Sequence, residues 1–148
     1  MANRRPLAVV AAVVLMLEGV LIALLNWFLG MVVDKQSMSL AGLDPHVMTL
    51  STWVAGGLFG GYLVLCGLIL LRTAIRDRAP GGFLRTVLVS CAVVHGVLGA
   101  FSVGLVGWLA FGAVMTVLGL IVLTLLAYDR PVGTVGAVRA GAVERLRG

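Results

Sequence analysis

Charge is what this chain has least of. Asp, Glu, Lys and Arg make up 11% of its 148 residues, where a water-soluble domain carries roughly 25%. Together with 61% hydrophobic residues and a mean hydropathy of +1.13, that scarcity excludes an ordinary soluble fold. Lysine occurs once, as Lys35. Cysteine occurs twice, as Cys66 and Cys91. Each lies inside an apolar run and outside any CxxC or metal-ligand spacing, so both read as small buried hydrophobes. A phosphate loop and a Ser-His-Asp constellation are lacking, and His95 has no second intramembrane histidine to face across a haem. These gaps argue against an enzyme and against a bound metal or cofactor. Length adds to this, because at about 20 residues per crossing the chain has room for four or five membrane helices and no soluble catalytic domain.

Four apolar runs fill most of the sequence, at 7–31, 46–71, 83–101 and 107–128. Each is long enough to cross a hydrocarbon core of about 30 Å at 1.5 Å per residue. The pattern predicts an all-α, polytopic four-transmembrane-helix bundle over residues 1–130, with a tail at 131–148. Arg4 and Arg5 precede the first run as they would in a signal peptide. The run is much longer than a signal's usual 7 to 15 apolar residues, which predicts a retained helix with Pro6 in its first turn. Asp44 before Pro45 has the form of an N-cap with proline at the first helical position. Pro80-Gly81-Gly82 makes the turn into the third helix. No charged residue occurs between 86 and 128, a stretch too long for one crossing and right for two. The break is expected at 102–107, where serine and glycine gather.

Basic residues are placed unevenly. Arg4, Arg5, Arg72, Arg76, Arg78, Arg85, Arg130, Arg139, Arg145 and Arg147 fall at the termini and in the second connection, whereas Lys35 alone falls in the first and third. The positive-inside rule then puts both termini on the cytoplasmic side of the cytoplasmic membrane. Trp27, Trp53 and Trp108 fall at the opposite ends of their helices, where an outer aromatic belt would sit, and Tyr128 falls at the inner interface. The net charge of +5 therefore reads as an orientation signal and not as a nucleic-acid footprint. The lipid bilayer is the expected partner, with a homodimer or a larger membrane complex beside it.

Two ionisable residues lie far from the helix ends. Glu18 is eleven residues into the first run, about 16 Å along the helix, and His95 is eleven residues beyond Leu84, at nearly the same depth from the same side. A carboxyl or imidazole in mid-membrane is costly and normally faces a partner inside the bundle, so the two form a candidate intramembrane polar pair. The spacing i, i+4, i+11 from Cys91 carries His95 and Ser102 onto one helix face. Asn26, eight residues beyond Glu18, is a candidate for the outer end of the same seam. The sequences Glu18-Gly19-Val20-Leu21-Ile22-Ala23 and His95-Gly96-Val97-Leu98-Gly99-Ala100 also match at four positions, as a duplicated helical hairpin would. A second pattern is made of small residues: Gly56, Gly57, Gly60, Gly61 and Gly67 in the second helix, and Gly112, Thr116 and Gly119 in the fourth. Small side chains let helices approach closely in lipid, so all eight are candidate helix-packing positions.

The Arg5-Pro6 start and the Leu17-Glu18-Gly19-Val20 stretch resemble the uncharacterised actinobacterial four-helix integral membrane proteins, and the abundance of Arg, Ala, Val, Gly and Leu fits a high-GC source. That resemblance implies a membrane bundle and no particular activity. A glutamate in the first of four helices also resembles the small multidrug resistance transporters, whose membrane glutamate binds proton and cation in turn. This chain departs from them in its length, its polar outer loop, its charge asymmetry and its histidine at matching depth. The expected role is a structural or accessory membrane subunit acting through helix packing. The alternative is a small proton-coupled transporter using Glu18 and His95.

Overall fold

The computed structural model describes residues 4–36, 42 and 44–128, apart from the side chain of residue 105. The tail at 131–148 lies outside the described residues. Four helices follow one another: α1 Arg4–Gln36, α2 Pro45–Arg76, α3 Gly82–Leu105 and α4 Trp108–Ala127. Each is long and apolar enough to cross a membrane, and the protein is a multi-pass four-helix membrane bundle.

The helices overrun the apolar segments that announce them. α1 has 33 residues and α2 has 32, about 50 Å at the helical rise, so both continue past a core of about 30 Å into the polar interface. Hydropathy marks the part of a helix that lipid surrounds. It does not mark where backbone hydrogen bonding stops, and that is why Arg4, Lys35 and Arg76 are helical. α2 starts where its cap predicts: the Asp44 carboxylate accepts from the His46 N–H at 2.7 Å, with Pro45 behind it. The α3–α4 break is narrower than the expected 102–107. Ser102 remains helical and its carbonyl accepts from the N–H groups of both Val106 and Gly107, at 3.0 and 2.8 Å. The chain turns at Gly107, whose φ of 116° suits a residue without Cβ.

α1 and α2 make the most extensive contact, α3 packs on α4, α1 touches α4 more lightly, and α2 and α3 touch least. On α2 the inward positions Thr49, Trp53, Gly56, Gly60, Leu63, Gly67, Leu70 and Ala74 alternate steps of four and three. α1 answers with Ala8, Ala12, Leu15, Gly19, Ala23, Asn26 and Gly30. This 3.5-residue period is the seam of two helices crossing at a shallow angle. Glycine sets its closeness: a Cβ on Gly19 would stand 2.7 Å from the Gly60 carbonyl oxygen, and one on Gly60 would stand 2.5 Å from that of Gly19. Gly67 fits against Ala12 and Met16, and Gly56 against Asn26. Trp53 closes the far end by donating its indole N–H to the Trp27 carbonyl at 3.0 Å.

The other candidate packing positions turn away. A Cβ on Gly57, Gly61, Gly112 or Gly119 would meet no atom within 4 Å. Thr116 is exposed, its hydroxyl donating to the Gly112 carbonyl of its own helix at 2.8 Å. One residue is about 100° of helix rotation. With Gly56 and Gly60 facing α1, Gly57 and Gly61 must face outward, and with Val117 and Ile121 turned inward, so must Thr116. The matched stretches of α1 and α3 likewise differ in surroundings, since Gly19 is packed on α2 and Gly96 meets nothing within 4 Å.

At the end where α1 begins, three helices are tied together. Asp77, the left-handed C-cap of α2 with φ 48°, accepts from Arg4 at 3.0 Å and pairs with Arg5 at 3.2 Å. The Arg4 guanidinium lies over the Tyr128 ring, 5.5 Å from its centroid. Burial pushes the Asp77 carboxyl up, but the hydrogen bonds and charges of Arg4 and Arg5 outweigh it and hold the group below the ordinary carboxylate range. The clasp therefore contributes its full stability above the usual carboxylate pKa, and that contribution is lost as pH falls from there through the lowered value of the folded state.

Candidate functional site

Glu18 and His95 meet. The Glu18 Oε2 atom of α1 lies 3.1 Å from the His95 Nε2 atom of α3. The imidazole is fully buried, and the Glu18 side chain keeps 21% of its surface exposed. Behind the ring, Nδ1 lies 2.8 Å from the Cys91 carbonyl oxygen and 3.7 Å from the Cys91 thiol.

This geometry fixes the proton count. A backbone carbonyl only accepts, so the hydrogen bond to the Cys91 oxygen requires a proton on Nδ1. One proton then remains for the contact between Nε2 and the carboxyl. Either the neutral carboxylic acid donates to a neutral imidazole, or the imidazolium donates to a carboxylate. Both arrangements carry zero net charge, which is what a site away from water demands, and adding or removing a proton would leave a charge uncompensated.

The exposed edge of Glu18 opens onto a groove of about 480 Å³ between α1 and α4. Leu17, Leu21 and Leu25 of α1 and Ala113, Val114 and Val117 of α4 supply most of its wall, and Glu18 is the one ionisable residue in the lining. Its location follows from the light α1–α4 contact. Gly19 turns its side of α1 onto α2, and the next residue round, Glu18, is left at the margin facing α3 and α4. The carboxyl thus has two neighbours of opposite character, an imidazole sealed in the core and an apolar cleft open to the side.

Cys91 joins the site and the other candidate polar residues do not. Asn26 donates to the Ile22 carbonyl of its own helix at 2.9 Å and packs over Gly56, because 80° of rotation from Glu18 turns it onto α2. Ser102 donates to the Leu98 carbonyl at 2.7 Å and stands two turns, about 10 Å, beyond His95. Other contributors were hidden in the sequence. Cys66 shares the buried core with Cys91, and the Tyr62 hydroxyl reaches Ser90 at 2.6 Å, joining α2 to α3 beside the site. An apolar setting gave the cysteine no mark, and Tyr62 stands at an ordinary packing position. Among the described residues no group of three His, Cys, Asp or Glu side chains is arranged to hold a metal. Comparison with protein-family models, with curated proteins and with solved structures gives no match for this chain.

Proposed function

We propose that the protein uses Glu18 and His95 as an intramembrane proton site, exchanging the shared proton for a cation with an apolar body that enters from lipid through the α1–α4 groove. One observation carries this reading: the Glu18 carboxyl stands between the buried His95 imidazole and a cleft whose other walls are aliphatic. A cation seated there would meet a carboxylate with little water to compete, and it would compensate the charge left when the proton departs. No covalent bond need change, so the activity is binding and exchange, the core of a small proton-coupled transporter. Both termini lie on the cytoplasmic side of the cytoplasmic membrane in this reading, in keeping with the arginine distribution.

The test is direct. Purified protein in weakly buffered detergent, titrated with tetraphenylphosphonium, is expected to bind it more tightly as pH rises and to release up to one proton per site occupied. Glu18→Gln keeps a hydrogen-bond partner for His95 but has no exchangeable charge, and it should abolish both signals while the fold persists. Binding without proton release, or with release unchanged in Glu18→Gln, overturns the proposal.

A second reading is favoured by the open faces at Gly57 and Gly61 of α2 and Gly112 and Gly119 of α4. In that reading the protein is an accessory subunit whose outward glycines seat another membrane helix, from a second copy or a larger complex.

A further inference from the structure

A second cavity lies at the other end of the chemistry, where α2 runs out and α3 begins. It encloses about 230 Å³, and its lining includes Arg72, Arg76 and Arg78 with no carboxylate. Asp77, the one acid in that turn, is drawn to the other side by Arg4 and Arg5. Among the described residues Arg72, Arg76 and Arg78 make no ion pair, and all three are exposed. Three guanidinium groups, Arg72 and Arg76 on the end of α2 and Arg78 just beyond it, lining one cavity without a counter-charge favour an anion, and guanidinium geometry suits phosphate oxygens in particular. The first turn of α3 adds to the field: its N-cap, Gly81, lines the cavity and offers no side-chain cap, and no acidic residue occupies that turn. Of the remaining wall, Ile69, Ala79, Pro80 and Leu84 are apolar, and Thr73 spends its hydroxyl on the Ile69 carbonyl of its own helix at 2.9 Å. Ile69 and Leu84 face the cavity one turn deeper into the spanning segments, and the exposed Phe83 ring marks the same level.

From this combination we infer that the α2–α3 turn is a binding site for the headgroup of an anionic phospholipid. The phosphodiester lies among Arg72, Arg76 and Arg78, and the upper acyl chain follows Ile69 and Leu84 into the bilayer. The apolar wall selects a lipid over a soluble phosphate, which would gain nothing from it. The site is independent of Glu18 and stands whether or not the proton-exchange reading does.

The experiment uses the whole chain in nanodiscs of phosphatidylcholine with a minor fraction of phosphatidylglycerol, and reads the phosphatidylglycerol retained on the protein by native mass spectrometry. Near a membrane surface each basic residue contributes about fivefold to binding of an anionic lipid. Arg72→Gln with Arg76→Gln should therefore lower retention about twenty-five-fold, and Arg76→Gln alone about fivefold. Lys35→Gln, at the opposite membrane face, should leave it unchanged. Leu84→Trp fills the cavity without altering charge and should also reduce retention, with its thermal unfolding in pure phosphatidylcholine discs checked against the parent. Retention that survives Leu84→Trp in a folded protein, or that falls equally in Lys35→Gln, would show diffuse charge attraction and overturn the site. Displacement of the lipid by inorganic phosphate or glycerol phosphate would overturn the assignment to a lipid in favour of a soluble anion.

Discussion

A carboxyl and an imidazole that meet away from water relieve one another, and the energetics of Glu18 and His95 follow from that dependence. Either residue alone would leave a polar group with no partner in the bundle, at a cost of about 1–3 kcal/mol. Together they satisfy each other at 3.1 Å, and the Cys91 carbonyl holds the ring's far nitrogen. Glu18→Leu and His95→Leu should each destabilise the protein in a reversible denaturant titration in mixed micelles. The double variant replaces both groups by apolar ones and should lose less than the sum by ~1–3 kcal/mol. Strict additivity would mean that the two side chains do not sense one another. Depth along the helix was legible here, because eleven residues from the start of two parallel helices reach one level at any rotation. Which way α1 is turned against its neighbours was not, and so Asn26 looked eligible although it faces α2; Ser102 does share the His95 face but stands two turns beyond the pair. Each satisfies its hydroxyl or amide on its own helix, a choice open to any residue of that type.

Two helices whose seams are lined with glycine gain stability from backbone approach, and α1 with α2 shows how narrow the margin is. The sequence Gly56-Gly57-Leu58-Phe59-Gly60-Gly61 offers two glycine faces of equal merit, and nothing within α2 chooses between them. The choice is made by α1, whose Ala12, Gly19 and Ala23 form the complementary row, and pairing of rows on separate helices cannot be read from either alone. Gly60→Leu should therefore disrupt the α1–α2 seam at a cost of ~2 kcal/mol or more, since the new side chain would collide with the Gly19 carbonyl and with Ala23. Gly61→Leu, one residue on, should leave the stability of the isolated protein close to the parent in the same titration. If the outward face seats a partner helix, Gly61→Leu should also lower self-association or complex recovery in native membranes. Equal loss of monomer stability in the two variants would contradict the assignment of Gly60 to the buried seam.

The four helices behave as two hairpins held together by few contacts. α2 and α3 touch least, so the union rests on the light α1–α4 contact and the shared buried cluster around Leu15, Leu63, Leu88 and Ile121, with the Glu18 and His95 pair, the Tyr62 and Ser90 contact and the Asp77 clasp of α1, α2 and α4 as its polar ties. Arg4, Arg5 and Asp77 of that clasp and Arg72, Arg76 and Arg78 of the neighbouring cavity all occupy one end of the molecule, the end where α1 begins and α2 finishes. The opposite end has the Trp53 indole bonded to the Trp27 carbonyl, with Trp108 at the start of α4. A membrane resolves such an asymmetry in one direction, because arginine-rich connections stay where they are made and are not translocated, while tryptophan tolerates either interface. The arginine end is therefore expected in the cytoplasm. Reporter fusions after Arg78 and after Arg147 should both give the cytoplasmic signal, and a fusion after Ser39 the external one. A cytoplasmic signal at Ser39 would invert the molecule and move the arginine cavity to the outer leaflet. Glu18 and His95 would remain at the same depth, because they lie near the middle of their helices whichever way the bundle is inserted.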